Sequence, residues 1–140
     1  MARRVSLPAT LALSAAAVIG LVACTGPTTP KAAAGLTSRK VTVANIDIAI
    51  TPTQFDTTGA SFRITFDTHT GAPGIDVAAH STLTVAGTAW PGAAWSGDGP
   101  GGHHRTGTLR FTSAGPARGL ARLDITGLSG PLDATWQLPS

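Results

Sequence analysis

Three histidines and one aspartate are the side chains in this chain best suited to chemistry. His103 and His104 are adjacent and follow two glycines, while Asp67 and His69 lie at the end of a predicted strand. Imidazoles and carboxylates bind Zn²⁺ or Cu²⁺ when three or four of them converge within about 2.0 to 2.2 Å of one point. Neighbouring strand residues face opposite ways, so both adjacent histidines could bind one ion only from a bent loop. No zinc motif is matched, and the alternative is that the histidines are solvated or that one of them hydrogen-bonds a loop carbonyl.

Arg105 and Trp95 belong to the same glycine-rich stretch as the histidine pair. Residues 89–105 include five Gly and two Pro, which predicts a long connection of the kind that often carries function. Arg105 with the histidine pair gives an anion site as a third hypothesis. Trp90 and Trp95 predict either a cap over the end of the domain or a ligand groove lined by tryptophan.

Catalysis has less support. The chain has no Glu, no Gly-x-Ser-x-Gly motif and no His-Glu-x-x-His motif. Its Ser, His and Asp residues have no spacing that selects a triad. The run from 97 to 102 lacks the Lys and the helix of a phosphate loop. We therefore predict a protein that binds rather than an enzyme.

Alternating apolar residues predict the strands that position these groups. The alternation is found at 41–50, 62–66, 75–77, 83–85, 109–111, 123–125 and 134–138. About seven short strands between turns favour an all-β, immunoglobulin-like antiparallel β-sandwich, with a small closed barrel as the alternative. A slip of phase between Val43 and Ile46 predicts a bulge or bend, and Pro52 is predicted to end that strand. The parity of 62–66 places Asp67 and His69 on the outward face.

The residues that precede these strands have the pattern of a cleavable segment. Arg3 and Arg4 form a short positive region, and the apolar run from 7 to 22 leads to Leu-Val-Ala-Cys, which ends at Cys24. The run of about 16 residues is short for a bilayer span of about 20. The stretch resembles the lipobox of bacterial lipoproteins. An uncleaved anchor helix and an ordinary cleavage site beside an incidental cysteine are the alternatives.

The lipoprotein resemblance implies acylation of Cys24, cleavage before it and a domain on the extracytoplasmic side of the cell membrane. Two acyl chains anchor a protein stably, at about 0.8 kcal/mol per buried methylene. The predicted organisation is a signal peptide over 1–23, the lipidated cysteine and a flexible tether over 24–40, and a β-sandwich domain over 41–140. The single cysteine excludes an internal disulfide.

The charge of the mature chain is nearly balanced. Without Arg3 and Arg4, eight Lys and Arg face seven Asp, a formal charge of +1. Such a balance gives no reason to expect nucleic acid as a partner. The predicted partners are the membrane, through the acyl anchor, and a small ligand, a metal ion or an envelope protein.

Two sequence segments carry a second resemblance. Residues 66–70 (Phe-Asp-Thr-His-Thr) and 101–111 (Gly-Gly-His-His-Arg-Thr-Gly-Thr-Leu-Arg-Phe) look like parts of a domain in secreted and lipid-anchored prokaryotic proteins with no assigned activity. The similarity covers about 41–138. It implies that its motif residues are neighbours in space: Asp67, His69, His103, His104 and Arg105. Periplasmic copper chaperones are also small β-sandwiches, but Met1 is the only methionine here, which disfavours Cu(I).

Two hypotheses follow. A metal- or small-ligand-binding module predicts that His69, His103 and His104 converge. A structural or interaction protein of the cell envelope predicts scattered, solvated histidines and an exposed apolar patch around Trp90 or Trp95.

Overall fold

The computed structural model describes residues 31–71 and 73–140, and it has two antiparallel sheets packed as a sandwich. The strands are β1 (Arg39–Val43), β2 (Ile46–Asp56), β3 (Gly59–Thr68), β4 (Ser81–Val85), β5 (Thr88–Trp90), β6 (Ala94–Gly97), β7 (His104–Thr112), β8 (Gly119–Ile125) and β9 (Leu132–Leu138). The five-stranded sheet has the order β1-β2-β3-β7-β6, and the four-stranded sheet has the order β5-β4-β8-β9. The predicted all-β sandwich is confirmed, with nine strands in the described residues.

An aromatic cluster in the middle of the core holds the two sheets together. Phe62 of β3 is fully buried, and its ring lies 5.5 Å from that of Phe55, 6.2 Å from that of Phe111 and 5.4 Å from that of Trp136. Trp136 belongs to the opposite sheet. Because aromatic rings bury large apolar areas and prefer tilted or edge contacts, this cluster is a main source of cohesion between the layers.

The slip of phase near residue 44 is a chain reversal rather than a bulge. Val43 pairs with Ile46 across an antiparallel hairpin of β1 and β2. Ala44 and Asn45 between them have φ of 45° and 67°. Two-residue hairpins with positive φ at both central positions match the twist of the strands. One predicted strand is therefore two strands joined by a tight turn.

Asn-Gly in place of Ala44-Asn45 is expected to raise the free energy of unfolding by about 0.5 to 1 kcal/mol. Asn and Gly adopt positive φ at lower cost than Ala and Asn in these two positions. The measurement is urea denaturation of the two chains. Ala34→Gly, at a position without positive φ, is the control and should give no gain. A hairpin variant that is no more stable than the parent chain would contradict this assignment of the turn.

Pro52 does not end its strand. β2 continues to Asp56, and its register with β3 shifts between Pro52 and Gln54. Proline lacks the N–H that a regular ladder position donates, and it is tolerated at such irregularities. Ile75 and Val77, predicted as a short strand, lie in the connection between β3 and β4.

The folded part begins before residue 41. Leu36 is buried in the core. The Ala33 N–H donates to the Pro52 carbonyl at 2.6 Å, and Trp136 Nε1 donates to the Thr37 carbonyl at 2.8 Å. Part of the segment that the sequence assigned to the tether therefore packs on the sandwich.

The predicted signal peptide, Cys24 and the first part of the tether lie outside the described residues. In the chain from 31 to 71 and from 73 to 140, no helix is long and apolar enough to cross a bilayer.

Candidate functional site

The glycine-rich stretch 89–105 was predicted to be one long connection, and this prediction is wrong. It contains the last two residues of β5, all of β6 and the first two residues of β7, and it crosses from the four-stranded sheet to the five-stranded sheet. Trp90 of β5 is buried, and its Nε1 has no hydrogen-bond partner in the described chain. Trp95 of β6 is half-buried and packs against the core. The two rings thus belong to different layers, and Trp95 lies on the edge strand.

Arg105 faces the interior of the sandwich. β7 pairs with β3 so that Arg105 lies opposite Phe66, whose side chain is in the core. The arginine is only 2% exposed. A charge this deeply buried is costly unless polar groups surround it. Its hydrogen bonds therefore define its role.

The guanidinium of Arg105 joins two loops. Nη1 donates to the carbonyls of Pro73 at 3.2 Å and Ile75 at 2.9 Å, and Nε donates to the carbonyl of Asp98 at 3.1 Å. Its carbon Cζ lies 5.3 Å from the centroid of the Trp95 ring, within the range of a cation–π contact. No hydrogen bond to another described residue uses Nη2. The arginine thus fixes the spacing of the loops.

Burial lowers the pKa of the Arg105 guanidinium, and the carboxylates of Asp76 and Asp98 act in the opposite direction. Because an arginine stays protonated even when buried, the site holds a permanent positive charge. Two negative charges accompany it, so the three side chains together carry a formal charge of −1.

An open cavity of about 530 Å³ lies between these loops, and we call it the Arg105 cleft. Its lining includes Gly74, Ile75, Asp76 and Ala78 from one loop, Trp95, Gly97, Asp98, Gly99 and Pro100 from β6 and the residues after it, and Arg105 itself. The lining combines apolar side chains with three charged groups, Asp76, Asp98 and Arg105.

Local hydrogen bonds hold the β6 side of the cleft in place. The Asp98 N–H donates to the Thr106 carbonyl at 2.9 Å, and the Thr106 N–H donates to Asp98 Oδ2 at 2.9 Å. Trp95 Nε1 donates to the Asp98 carbonyl at 3.0 Å. Across the cleft, Asp76 Oδ1 accepts the N–H of Ala79 at 3.1 Å. The chain's own hydrogen bonds therefore hold both walls.

The structure brings Asp67 together with one of the two adjacent histidines. Asp67 and His104 are directly opposite in the β3–β7 ladder, and Asp67 Oδ1 contacts His104 Nδ1 on the exposed face. His103 Nδ1 lies 3.2 Å from the Thr68 carbonyl. In both histidines Nδ1 is engaged, which leaves Nε2 as the ring nitrogen open to another group. His69 follows β3 and is exposed.

The convergence required by the metal hypothesis is not observed. Among residues 31–71 and 73–140, no three His, Cys, Asp or Glu side chains are placed to hold a metal ion. Of the six predicted site residues, Arg105 and Trp95 meet at the cleft, and Asp67 and His104 meet on the outer face. His103 contacts the Thr68 carbonyl, and His69 joins neither pair.

Sequence reasoning missed the wall formed by residues 74–78. Asp76 and Asp98 lie in turn-like sequences, where an Asp side chain usually hydrogen-bonds the nearby backbone. Their residue type therefore did not indicate that they share a site. The sequence did hold a signal that Arg105 faces the core. It lies an even number of residues before Leu109, and such residues share one face of a strand. Comparison of the chain with protein-family models, with curated proteins and with solved structures gave no match.

Proposed function

We propose that this chain is a lipid-anchored, extracytoplasmic binding module whose ligand occupies the Arg105 cleft. The observation that carries the proposal is a buried guanidinium that lines an open cavity and whose Nη2 is not used by any other described residue. Buried charges are retained at a cost in stability unless they are fully compensated. A ligand that accepts a hydrogen bond from Nη2 would add to the compensation that three loop carbonyls already supply.

The charged side chains of the cleft indicate which class of ligand it could bind. Asp76 and Asp98 outweigh Arg105 by one negative charge, which disfavours a small anion. Ile75 and Ala78 add apolar surface to the lining. A neutral or cationic molecule with a carbonyl or similar acceptor fits this combination better than phosphate or a lone carboxylate does.

A titration followed by nuclear magnetic resonance tests the proposal on the full chain in detergent micelles. N-methylacetamide, a neutral carbonyl acceptor, is expected to shift the indole N–H signal of Trp95. Trp90 and Trp136 are buried away from the cleft lining, so their indole signals serve as internal controls. Acetate and inorganic phosphate should shift the Trp95 signal less.

Two glycine variants provide a test and a matched control for this experiment. A Cβ on Gly74 or on Gly115 meets no atom within 4 Å, and neither residue has a positive φ in the left-handed region. Gly74 lines the cleft and Gly115 does not. Gly74→Gln should abolish the Trp95 shift, and Gly115→Gln should preserve it. Equal shifts of all three indoles, or shifts unaffected by Gly74→Gln, would refute the cleft as the site.

A metal titration separates the cleft from the metal hypothesis. Zn²⁺ or Cu²⁺ is added to the parent chain and to a His103→Ala/His104→Ala variant, with calorimetric detection. We expect no tight binding that depends on the two histidines. Micromolar binding of one ion per chain, lost in the double variant, would replace the cleft proposal with a metal module.

Acylation at Cys24 is the prediction on which the location depends. The parent chain is expected to incorporate a palmitate analogue and to fractionate with membranes, because two acyl chains bind bilayers stably. Cys24→Ala should lose the label, since no other cysteine exists in the chain. Thr25→Ala is the matched control. Label retained by the Cys24→Ala chain would show that the lipobox assignment is wrong.

A further inference from the structure

We propose that the ligand of the Arg105 cleft is an extended peptide segment that adds as a strand to the outer edge of β6. This inference rests on the proposed function, and it names the class of partner. Strand addition to an open sheet edge is a common mode of peptide recognition, in which main-chain hydrogen bonds provide affinity.

β6 is the edge strand that such a peptide requires. It is the last strand of its sheet, and β7 is its one partner in the part of the chain that the structure describes. Asp98 donates its N–H to the carbonyl of Thr106, and antiparallel ladders alternate hydrogen-bonded with non-hydrogen-bonded pairs. Counting back from Asp98, the main-chain groups of Trp95 and Gly97 point away from β7. Both residues line the cleft.

The edge carries little that would block a partner. Open edges are usually protected by lysine, proline, bulges or a covering segment. β6 has the sequence Ala-Trp-Ser-Gly, with no charged side chain. The feature that limits unwanted pairing at this edge is its short length. Four residues allow an added strand to pair over about 13 Å. The cleft separates this edge from the loop that contains Gly74 and Asp76, so an added strand would lie between the two.

A peptide also matches the mixture of donors and acceptors. The outward N–H and C=O groups of Trp95 and Gly97 pair with a main chain, and Nη2 of Arg105 can donate to one of its carbonyls. A small ligand with a single acceptor would satisfy Arg105 alone. Asp76 and Asp98 outweigh Arg105 in charge, so a peptide with a basic side chain is favoured over an acidic one.

The test uses the peptide Thr-Val-Lys-Val-Thr-amide with a neutral fluorophore on its N-terminal amine and the full chain in detergent micelles, with anisotropy as the readout. The same peptide with Glu in place of Lys should bind about tenfold more weakly, a difference of about 1.4 kcal/mol. Gly74→Gln should weaken binding by at least as much, and Gly115→Gln should leave it unchanged.

N-methylation of the peptide tests strand addition directly. In one version the lysine N–H is methylated, and in the other version both valine N–H groups are methylated. Because alternate N–H groups of a strand point to opposite sides, one version should bind about tenfold more weakly and the other nearly as well as the parent. This asymmetry is the signature of a strand paired on one side.

The possible failures are distinguishable. Equal binding of both methylated versions, with loss in Gly74→Gln, would overturn strand addition and leave the cleft as the ligand site. No peptide binding, together with a Trp95 shift by N-methylacetamide, would overturn the peptide class and keep the proposed function. If the chain self-associates through this edge, with loss in Gly74→Gln, and the free peptide neither binds nor disrupts that association, the edge pairs with a second copy and the peptide proposal is wrong.

Discussion

Arg105→Lys is expected to lower the free energy of unfolding by about 3 kcal/mol. Arg105 makes three hydrogen bonds to backbone carbonyls of two loops, and bonds from a charged donor contribute about 1.5 to 3 kcal/mol each before non-additivity is considered. A lysine ammonium offers its donors from one nitrogen atom and cannot reproduce the planar fork that reaches both loops. It would also remain a buried charge with fewer partners.

Chemical denaturation of both chains gives this difference. The matched control is Arg110→Lys, because Arg110 lies in the same strand with its side chain exposed. The control should change stability by no more than about 0.5 kcal/mol. A loss below about 1 kcal/mol in Arg105→Lys would mean that the guanidinium does not hold the cleft walls together.

Gly107→Ala is expected to destabilise the chain by about 2 to 3 kcal/mol, the upper part of the range for overpacked cores. A Cβ at this position would lie 2.3 Å from Cζ2 and 2.7 Å from Cε2 of the Trp95 indole. The indole is rigid, so it must leave its place over β7. Its contact with the Arg105 guanidinium would be lost with it.

This variant has a second readout. The indole signal of Trp95 should move toward the position of a solvated tryptophan, and binding in the Arg105 cleft should be lost, because Trp95 lines it. Gly115→Ala, where the added Cβ meets open space, is the control and should change neither stability nor the indole signal. A Gly107→Ala chain that is as stable as the parent and keeps the Trp95 signal would contradict the packing described above.

Both substitutions are expected to lower the stability of the fold and to disturb the cleft, because the same residues serve both. Arg105 spaces the walls, and Gly107 leaves the volume that Trp95 fills. Walls that the chain's own hydrogen bonds and packing hold in place reduce the ordering cost of binding.

The sequence alone was enough to predict an all-β protein and to favour a sandwich over a closed barrel. Phe62, Ile64 and Phe66 alternate with polar residues, and a side-chain period of two with one apolar face is satisfied by two sheets that share a core. The same pattern recurs along the chain often enough to predict a sandwich. It could not distinguish a hairpin from a bend at Ala44, because both shift the phase of the alternation.

The candidate site was decided by tertiary structure. The apolar alternation of β7 stops at Leu109, since Gly107 is kept small for the Trp95 ring and Arg105 is polar, so the start of the strand resembled a loop. The wall that contains Ile75 is about 30 residues away from Arg105 in sequence, and its contact is a backbone carbonyl that any residue type provides. The pattern of side chains predicts which face of a strand is buried. It does not predict which strands pair or which backbone groups bind a buried charge, because both depend on how the sheets pack.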